Sequence, residues 1–166
     1  MKLVSKIALI GISVGVLFTS CKKELCKDAI PEMTYSDFYQ LESDTNEFKL
    51  IFKFTDCDGD IGMETDGSII DENGETQTTN FKIDLYFFEN DDWNLYEFAS
   101  EDGLNSKIPD LSNSTANPIL DGEIEKSLNR FTSLAGYDSI MFKSRILDNA
   151  GHYSNEVETP GFNLSK

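Results

Sequence analysis

This chain is poor in positive charge. Its 166 residues include 14 Lys and Arg against 30 Asp and Glu, which gives a formal net charge of −16 at pH 7. A protein with so few basic residues lacks the Lys and Arg clusters that neutralise nucleic-acid phosphates or adhere to anionic lipid heads. The balance therefore argues against nucleic acid as a partner, and it favours solubility and the binding of cations.

Histidine and nucleophile motifs are also scarce, which argues against an enzyme. His152 is the only histidine. A Ser-His-Asp triad would have to use it with Asp148 of the same turn, and no nucleophile-elbow pattern is present. Zinc would require His152, Cys26 and Cys57 to meet without a recognisable ligand spacing. Phosphate-binding and dinucleotide-binding glycine motifs are absent. We therefore predict no catalytic residues and interpret His152 as an exposed turn residue.

Long apolar runs are missing, because the one candidate, Ile7–Phe18, is shorter than the roughly 20 residues of a membrane span. Lys2 and Lys6 precede this run, and the small residues Thr19 and Ser20 follow it. A positive start, a short apolar core and small residues beside a cleavage site are typical of a secretory signal peptide. We interpret residues 1–20 in this way.

The sequence Leu-Phe-Thr-Ser-Cys that ends this run resembles a bacterial lipoprotein signal, in which the chain is cleaved before Cys21 and Cys21 is lipidated. The resemblance implies an outer-membrane lipoprotein that faces the periplasm or the cell surface, with the membrane as a partner through the N-terminal lipid. Two or more acyl chains anchor firmly where one is marginal. We predict a lipidated tether over residues 21–32 and one β-sandwich domain over 33–166.

Cysteine usage after the lipidation site leaves one pair, Cys26 and Cys57. An even number of cysteines in an oxidising compartment favours a disulfide. The bond would close a loop of about 30 residues and add about 3–4 kcal/mol in the chain-entropy model. The alternative is two unpaired thiols, one in the tether and one in an exposed loop.

Short apolar–polar alternation predicts β-strands and no long helix. Phe48, Leu50, Phe52 and Phe54 alternate with polar or outward residues, and Phe81, Ile83, Leu85 and Phe87 do the same. Further strands are expected within Thr34–Leu41, Trp93–Ala99, Gly122–Leu128, Ile140–Leu147 and Tyr153–Thr159, and a long polar loop over Asp102–Pro118. About seven short strands with regular turns indicate an all-β, immunoglobulin-like or fibronectin III-like antiparallel β-sandwich.

The segment between Lys53 and Lys82 is acidic and contains no Lys or Arg. Its tightest part is Asp56-Cys57-Asp58-Gly59-Asp60, where alternate acids and a glycine let carboxylates converge on one point. Hard oxygen ligands of this kind suit calcium, which takes 6–8 of them. The segment is not an EF-hand, because Ile61 occupies the sixth position, where that loop requires glycine.

Topology suggests the remaining ligands. In an immunoglobulin-like sandwich, the loop after the second strand and the loop before the last strand emerge at the same end. We therefore expect Asp148 and Asn149 near the three aspartates. The hypothesis is a Ca²⁺ site with candidate ligands Asp56, Asp58, Asp60, Glu64 and Asp148. The alternative is a solvated acidic loop that only keeps the protein soluble.

Two segments resemble a group of Bacteroidota lipoproteins of unknown function. One is the phenylalanine-rich strand that runs into Asp-x-Asp-Gly-Asp-Ile-Gly, here Phe52–Gly62. The other is a strand followed by Asp-x-Ala-Gly-x-x-Ser-Asn, here Asp148–Asn155. The resemblance covers about residues 46–160. This chain departs from it with Cys57 in place of glycine and His152 in place of asparagine.

Aromatic residues surround the predicted hairpin turn at Asn90–Asp92. The candidate contact residues are Tyr86, Phe88, Trp93 and Tyr96. If they point away from the core, they form a strip that can stack on sugar rings or seat a protein partner. The alternative is that both faces of this sheet are covered.

The sequence as a whole predicts a lipid-anchored envelope protein that acts as a non-catalytic binding or structural module stabilised by calcium. One alternative is an accessory lipoprotein that captures glycans or other nutrients through the aromatic strip. A second is a small envelope hydrolase, for which a carboxylate pair is always available in so acidic a chain and discriminates nothing.

Overall fold

The computed structural model describes residues 28–43, 47–100, 102–110, 119–129 and 137–163. These ranges hold ten strands and no helix. The strands are β1 (Glu32–Gln40), β2 (Glu47–Asp56), β3 (Ile69–Ile70), β4 (Thr76–Gln77), β5 (Phe81–Glu89), β6 (Asp92–Leu95), β7 (Leu120–Asn129), β8 (Ser139–Ile146), β9 (Val157–Glu158) and β10 (Phe162–Asn163). The predicted signal peptide, Cys21 and Cys26 lie outside the described residues.

Two antiparallel sheets build the domain. The first has the order β1-β2-β7, and the second has the order β10-β8-β5-β6, with β9 also paired to β8. An immunoglobulin-like sandwich places strands A, B and E in one sheet and C, F and G in the other. Here β1, β2 and β7 take the first set of positions, and β5, β8 and the β9–β10 edge take the second. The predicted all-β sandwich is confirmed.

The core lies between the two sheets and consists of the alternating residues that the sequence indicated. Leu50 and Phe52 of β2, Leu85 of β5 and Phe142 of β8 are fully buried. Rings from opposite sheets meet edge to face, and the centroids of Phe52 and Phe81 are 5.8 Å apart. Burial of such side chains contributes about 1.5–3 kcal/mol each and is the main stabilising term of the fold.

Strand β1 keeps its apolar face on the core only because it contains a bulge. Tyr35 pairs with Phe52 and Asp37 pairs with Ile51, so Ser36 is an extra residue. A bulge of this kind shifts the alternation by one residue. Phe38 therefore faces the core in place of Asp37, and its ring stacks on Phe162 with the centroids 4.2 Å apart.

The connection between β2 and β5 contains a small hairpin, β3–β4, that the sequence did not predict. Asp71 holds its turn: Oδ1 accepts the N–H groups of Asn73 and Glu75, and Oδ2 accepts Gln77 Nε2 and the Tyr153 hydroxyl at 3.3 Å. These hydrogen bonds lower the pKa of Asp71, and the bond from the Glu75 N–H has the largest effect. Asp71 is thus a structural carboxylate.

The segment predicted as a polar loop, Asp102–Pro118, is partly integrated into the fold. Ile108 is buried, and the buried Asn80 side chain accepts its N–H at 2.7 Å and donates to its carbonyl at 3.4 Å. Ser106 forms a bridge with Phe81. Residues 102–110 contain no regular strand, as predicted, but they pack against the fold because the Asn80 amide and the backbones of Met63 and Phe81 pair with them.

The C-terminal Ser-Asn of the Asp-x-Ala-Gly-x-x-Ser-Asn segment also completes backbone pairing. Asn155 accepts the Met33 N–H and donates to the Met33 carbonyl, both at 2.8 Å, across 122 residues of chain. The Ser154 hydroxyl accepts the Ile146 N–H at 3.0 Å. Asn155 thus joins this segment to the start of β1, and Ser154 joins it to the end of β8.

Asn155→Ala is expected to destabilise the fold by about 1–3 kcal/mol, because it leaves the N–H and C=O of Met33 without partners beside the core. Urea unfolding monitored by tryptophan fluorescence measures this loss. Asn94→Ala is the matched control: its amide contacts two carbonyls at the exposed hairpin turn, so a change within about 0.5 kcal/mol is expected. An Asn155→Ala variant as stable as the control would contradict the assignment.

Candidate metal centre

Asp56 ends β2 on a core-facing position. Leu50, Phe52 and Phe54 are buried on alternate positions of this strand, and Asp56 continues the same face with 0% exposure. Its Oδ2 accepts the Ile61 N–H at 3.2 Å, whereas its Oδ1 is buried without a hydrogen-bond partner. Such an atom costs about 1–3 kcal/mol unless something compensates it.

The residues after Asp56 fold back over it. Gly59 adopts a φ of 71°, a conformation that favours glycine, and so reverses the chain between Asp58 and Asp60. One carboxylate oxygen from each of the three aspartates lies within 4.8 Å of the other two. Asp58 is exposed, Asp60 is half-buried, and Asp60 Oδ1 is buried without a partner.

The loop between β8 and β9 lies against this segment, as the topology predicted. The Asn149 N–H donates to the Asp60 carbonyl at 3.2 Å, and the Ala150 backbone hydrogen-bonds to the Asp60 carboxylate. A small apolar cluster packs Met63 and Ile69, which follow the acids in the sequence, against Leu147 at the start of the β8–β9 loop. Hydrogen bonds and apolar packing therefore join the acidic segment and its continuation to that loop.

Electrostatics make the carboxylate cluster unfavourable as it stands. Burial, followed by the neighbouring Asp58, raises the pKa of Asp56 to about 7. Burial, followed by the charges of Asp148 and Asp58, raises the pKa of Asp60 to about 6. Like charges and low solvation both oppose ionisation. A cation between the three carboxylates would relieve both effects.

Asp148 and Glu64 take different positions from those expected for ligands. Asp148 is fully buried and near enough to Asp60 to raise its pKa, but its own oxygens accept the His152 N–H at 2.7 Å and contact His152 Nδ1 at 3.2 Å. Glu64 is exposed and outside the group of three. The structure thus brings together three of the five candidate ligands, with Asp148 beside them.

Lys107 is a residue of this region that sequence reasoning missed. Its Nζ donates to the carbonyls of Thr65 at 2.5 Å, Gly67 at 3.0 Å and Glu64 at 3.4 Å. It therefore supplies a positive charge to the turn that follows the acidic segment. No local pattern could reveal this, because Lys107 lies about 40 residues further along the chain.

The donor set of the cluster consists of oxygen. Cys57, between Asp56 and Asp58, is disulfide-bonded, so it offers no thiolate. The pairing of Cys57 with Cys26 stays a prediction, since Cys26 lies outside the described residues. Carboxylate oxygens without thiolate or imidazole ligands suit the hard cations Ca²⁺ and Mg²⁺.

His152 has the features of the turn residue that the sequence suggested. Its side chain is 43% exposed and is paired with Asp148. Among the described residues, no Ser, Thr or Cys side chain hydrogen-bonds to it.

Three of the four aromatic residues named as candidate contacts lie on the outer face of the second sheet. Phe88 and Trp93 are directly opposite each other with ring centroids 5.2 Å apart, and Tyr86 lies on the same outer face, opposite Leu95. Phe88 is 39% and Leu95 is 51% exposed. Tyr96 instead packs on the core cluster and contacts Phe87 and Phe98.

No helix long and apolar enough to cross a bilayer occurs among the described residues. Neither a protein-family model, nor a curated protein, nor a solved structure matches the chain.

Proposed function

We propose that this protein is a non-catalytic binding or structural module of the bacterial envelope, anchored by a lipid on Cys21 and stabilised by Ca²⁺. The observation that carries the proposal is the cluster of three aspartates with two buried oxygens that lack partners. A loop that served only solubility would hold its carboxylates in solvent. Asp56, by contrast, is fully buried at the end of a core strand.

Calcium fits this cluster better than magnesium. The acids come from an irregular loop, and calcium accepts 6–8 oxygens in flexible geometry, whereas magnesium demands near-ideal octahedral geometry and keeps several waters. Asp56, Asp58 and Asp60 would hold the ion. By binding at the point where the two loops meet, the ion would rigidify that end of the sandwich.

The location at the envelope is supported by two features. The N-terminal sequence through Cys21 resembles a lipoprotein signal, and Cys57 is disulfide-bonded. Structural disulfides persist in oxidising compartments, such as the periplasm and the cell surface. The net negative charge disfavours electrostatic adhesion of the protein surface to anionic lipids, so the lipid on Cys21 would supply the attachment to the membrane.

Isothermal titration calorimetry of the full-length protein in a non-ionic detergent tests the proposal. We expect saturable binding of one Ca²⁺ per chain, with Mg²⁺ at least tenfold weaker. Asp58→Asn/Asp60→Asn should abolish binding, because it removes two of the three charges. Glu72→Gln/Glu75→Gln removes two charges from the neighbouring hairpin and should leave binding within about twofold. Absence of calcium binding at millimolar concentration would overturn the proposal.

A further inference from the structure

A polar cleft of about 280 Å³ lies between the β3–β4 hairpin and the outer face of the second sheet. Side chains of β5 and β8 form its floor, and Asn73, Glu75 and Gln77 of the hairpin line its rim. No member of the aspartate cluster lines it. Its volume approaches the lower end of the range typical of small-molecule sites, which suits a ligand of monosaccharide size.

Two cations stand directly opposite each other in the floor of this cleft. Lys82 of β5 pairs in register with Arg145 of β8. Like charges at directly opposed positions destabilise a sheet. Among the described residues, no carboxylate oxygen lies within 4.0 Å of either cationic group. The charges of Asp102, Asp71 and Asp84 act on Lys82 from a greater distance and partly offset the lowering of its pKa.

Two of the other charged residues that line the cleft, Asp71 and Lys143, already make several contacts. Asp71 lines the cleft, but its two oxygens already accept four hydrogen bonds. Lys143 contacts Glu158 at 3.1 Å and Glu156 at 4.0 Å. Neither Lys82 nor Arg145 forms a direct ion pair with a described residue, so both cationic groups can contact an incoming anion.

Both cations are held in place. The Arg145 guanidinium lies 3.9 Å from the centroid of the Tyr153 ring, and Lys82 Nζ donates to Thr79 Oγ1 at 2.8 Å. Burial, followed by the charge of Arg145, lowers the pKa of Lys82. An arginine pre-oriented by stacking presents its planar fork for bidentate binding of a carboxylate.

The remaining lining supplies groups for hydroxyls. The side-chain oxygen of Asn105 accepts the Ile83 N–H at 2.9 Å. The amide nitrogen of the same side chain is therefore the group that can donate to a ligand. The carboxylates of Asp84 and Glu75 are in no ion pair among the described residues and can accept hydroxyl protons. Tyr86 lies two residues from Asp84 on the same outer face, so the aromatic strip continues from the cleft.

We infer that this cleft binds an acidic sugar, with the carboxylate between Lys82 and Arg145 and the hydroxyls on Asn105, Asp84 and Glu75. The site is separate from the calcium centre and does not depend on it. The combination of an unpaired cation pair with neighbouring hydrogen-bonding groups distinguishes it from a site for a simple anion.

Titration of full-length protein labelled with ¹⁵N in detergent, with D-glucuronate as the probe, tests the inference. We expect saturable shifts of Lys82, Asp84 and Arg145 amides. Glucose and acetate should each bind at least tenfold more weakly, because the first lacks the carboxylate and the second lacks the hydroxyls. EDTA throughout keeps calcium out of the comparison, and the Asp58→Asn/Asp60→Asn variant should bind glucuronate like the wild type.

Substitution of the two cations provides a second test of the inference. Arg145→Gln and Lys82→Gln should each weaken glucuronate binding at least tenfold while the protein stays folded by its amide spectrum. Lys53→Gln removes an exposed cation from the other sheet, where it contacts Glu123 at 3.6 Å, and should have no effect. Shifts that do not saturate, equal binding of acetate, or binding that survives Arg145→Gln and Lys82→Gln would overturn the inference.

Discussion

Asp56→Asn is expected to stabilise the metal-free protein and to abolish its response to calcium. In EDTA the variant should be more stable by about 1–3 kcal/mol, because an amide keeps the shape of the side chain and removes a buried charge among like charges. In calcium the wild type should gain about 2.7 kcal/mol at a concentration 100 times the dissociation constant, and the variant should gain nothing.

Thermal unfolding in EDTA and in calcium measures both effects on the same samples. Asp66→Asn is the control, because Asp66 is an exposed acid of the same segment. Its melting temperature should stay close to that of the wild type under both conditions. An Asp56→Asn variant that is less stable than the wild type in EDTA, or that keeps the calcium response, would show that Asp56 is a structural carboxylate and not a ligand.

Calcium affinity is expected to increase by a factor on the order of 100 or more between pH 5 and pH 8. Two of the three carboxyls have raised pKa values, about 7 for Asp56 and about 6 for Asp60. Calcium binds the ionised forms, so at pH 5 it must displace protons from both groups. Above pH 7 both groups are mostly ionised, and the affinity should level off.

The same shifts set the pH dependence of the metal-free fold. Because the folded pKa values lie above 3.8, the ordinary value of an aspartate, the unfolded state binds fewer protons than the folded state between about pH 4 and pH 7. Stability should therefore decrease as pH rises through that window. Saturating calcium should reduce this loss.

Calorimetry across pH 5 to 8, in buffers of different ionisation enthalpy, measures the affinity and the protons released. Asp60→Asn should release fewer protons and flatten the curve near pH 6. Asp66→Asn should follow the wild type. An affinity that is constant across this range would mean that the aspartates do not take up protons in competition with the ion.

Much of the sandwich could be predicted from the sequence, because a strand alternates its side chains between two faces whatever surrounds it. The spacing of Phe48, Leu50, Phe52 and Phe54 indicated which face is buried. The same alternation separates Tyr96 from the aromatic residues of the outer face. Trp93 and Tyr96 are three residues apart in the hairpin arm, so one points outward and the other inward.

The candidate site was predictable where it is local. Asp56, Asp58 and Asp60 are near in sequence, and Gly59 permits the turn that brings them together. The cleft was not predictable, because Lys82 and Arg145 are opposed only through the β5–β8 register. Asn80, Lys107 and Asn155 likewise act through partners 28 to 122 residues away.

By itself, the sequence determined the long strands and the acidic segment, since each depends on neighbouring residues, and it predicts the lipoprotein signal. Tertiary structure alone decided that Asp56 is buried and incompletely hydrogen-bonded, and that Asp148 pairs with His152 beside it. Burial and electrostatic coupling depend on which distant segments pack around a group. A carboxylate that is harmless in an exposed loop therefore becomes a candidate ligand at the end of a core strand.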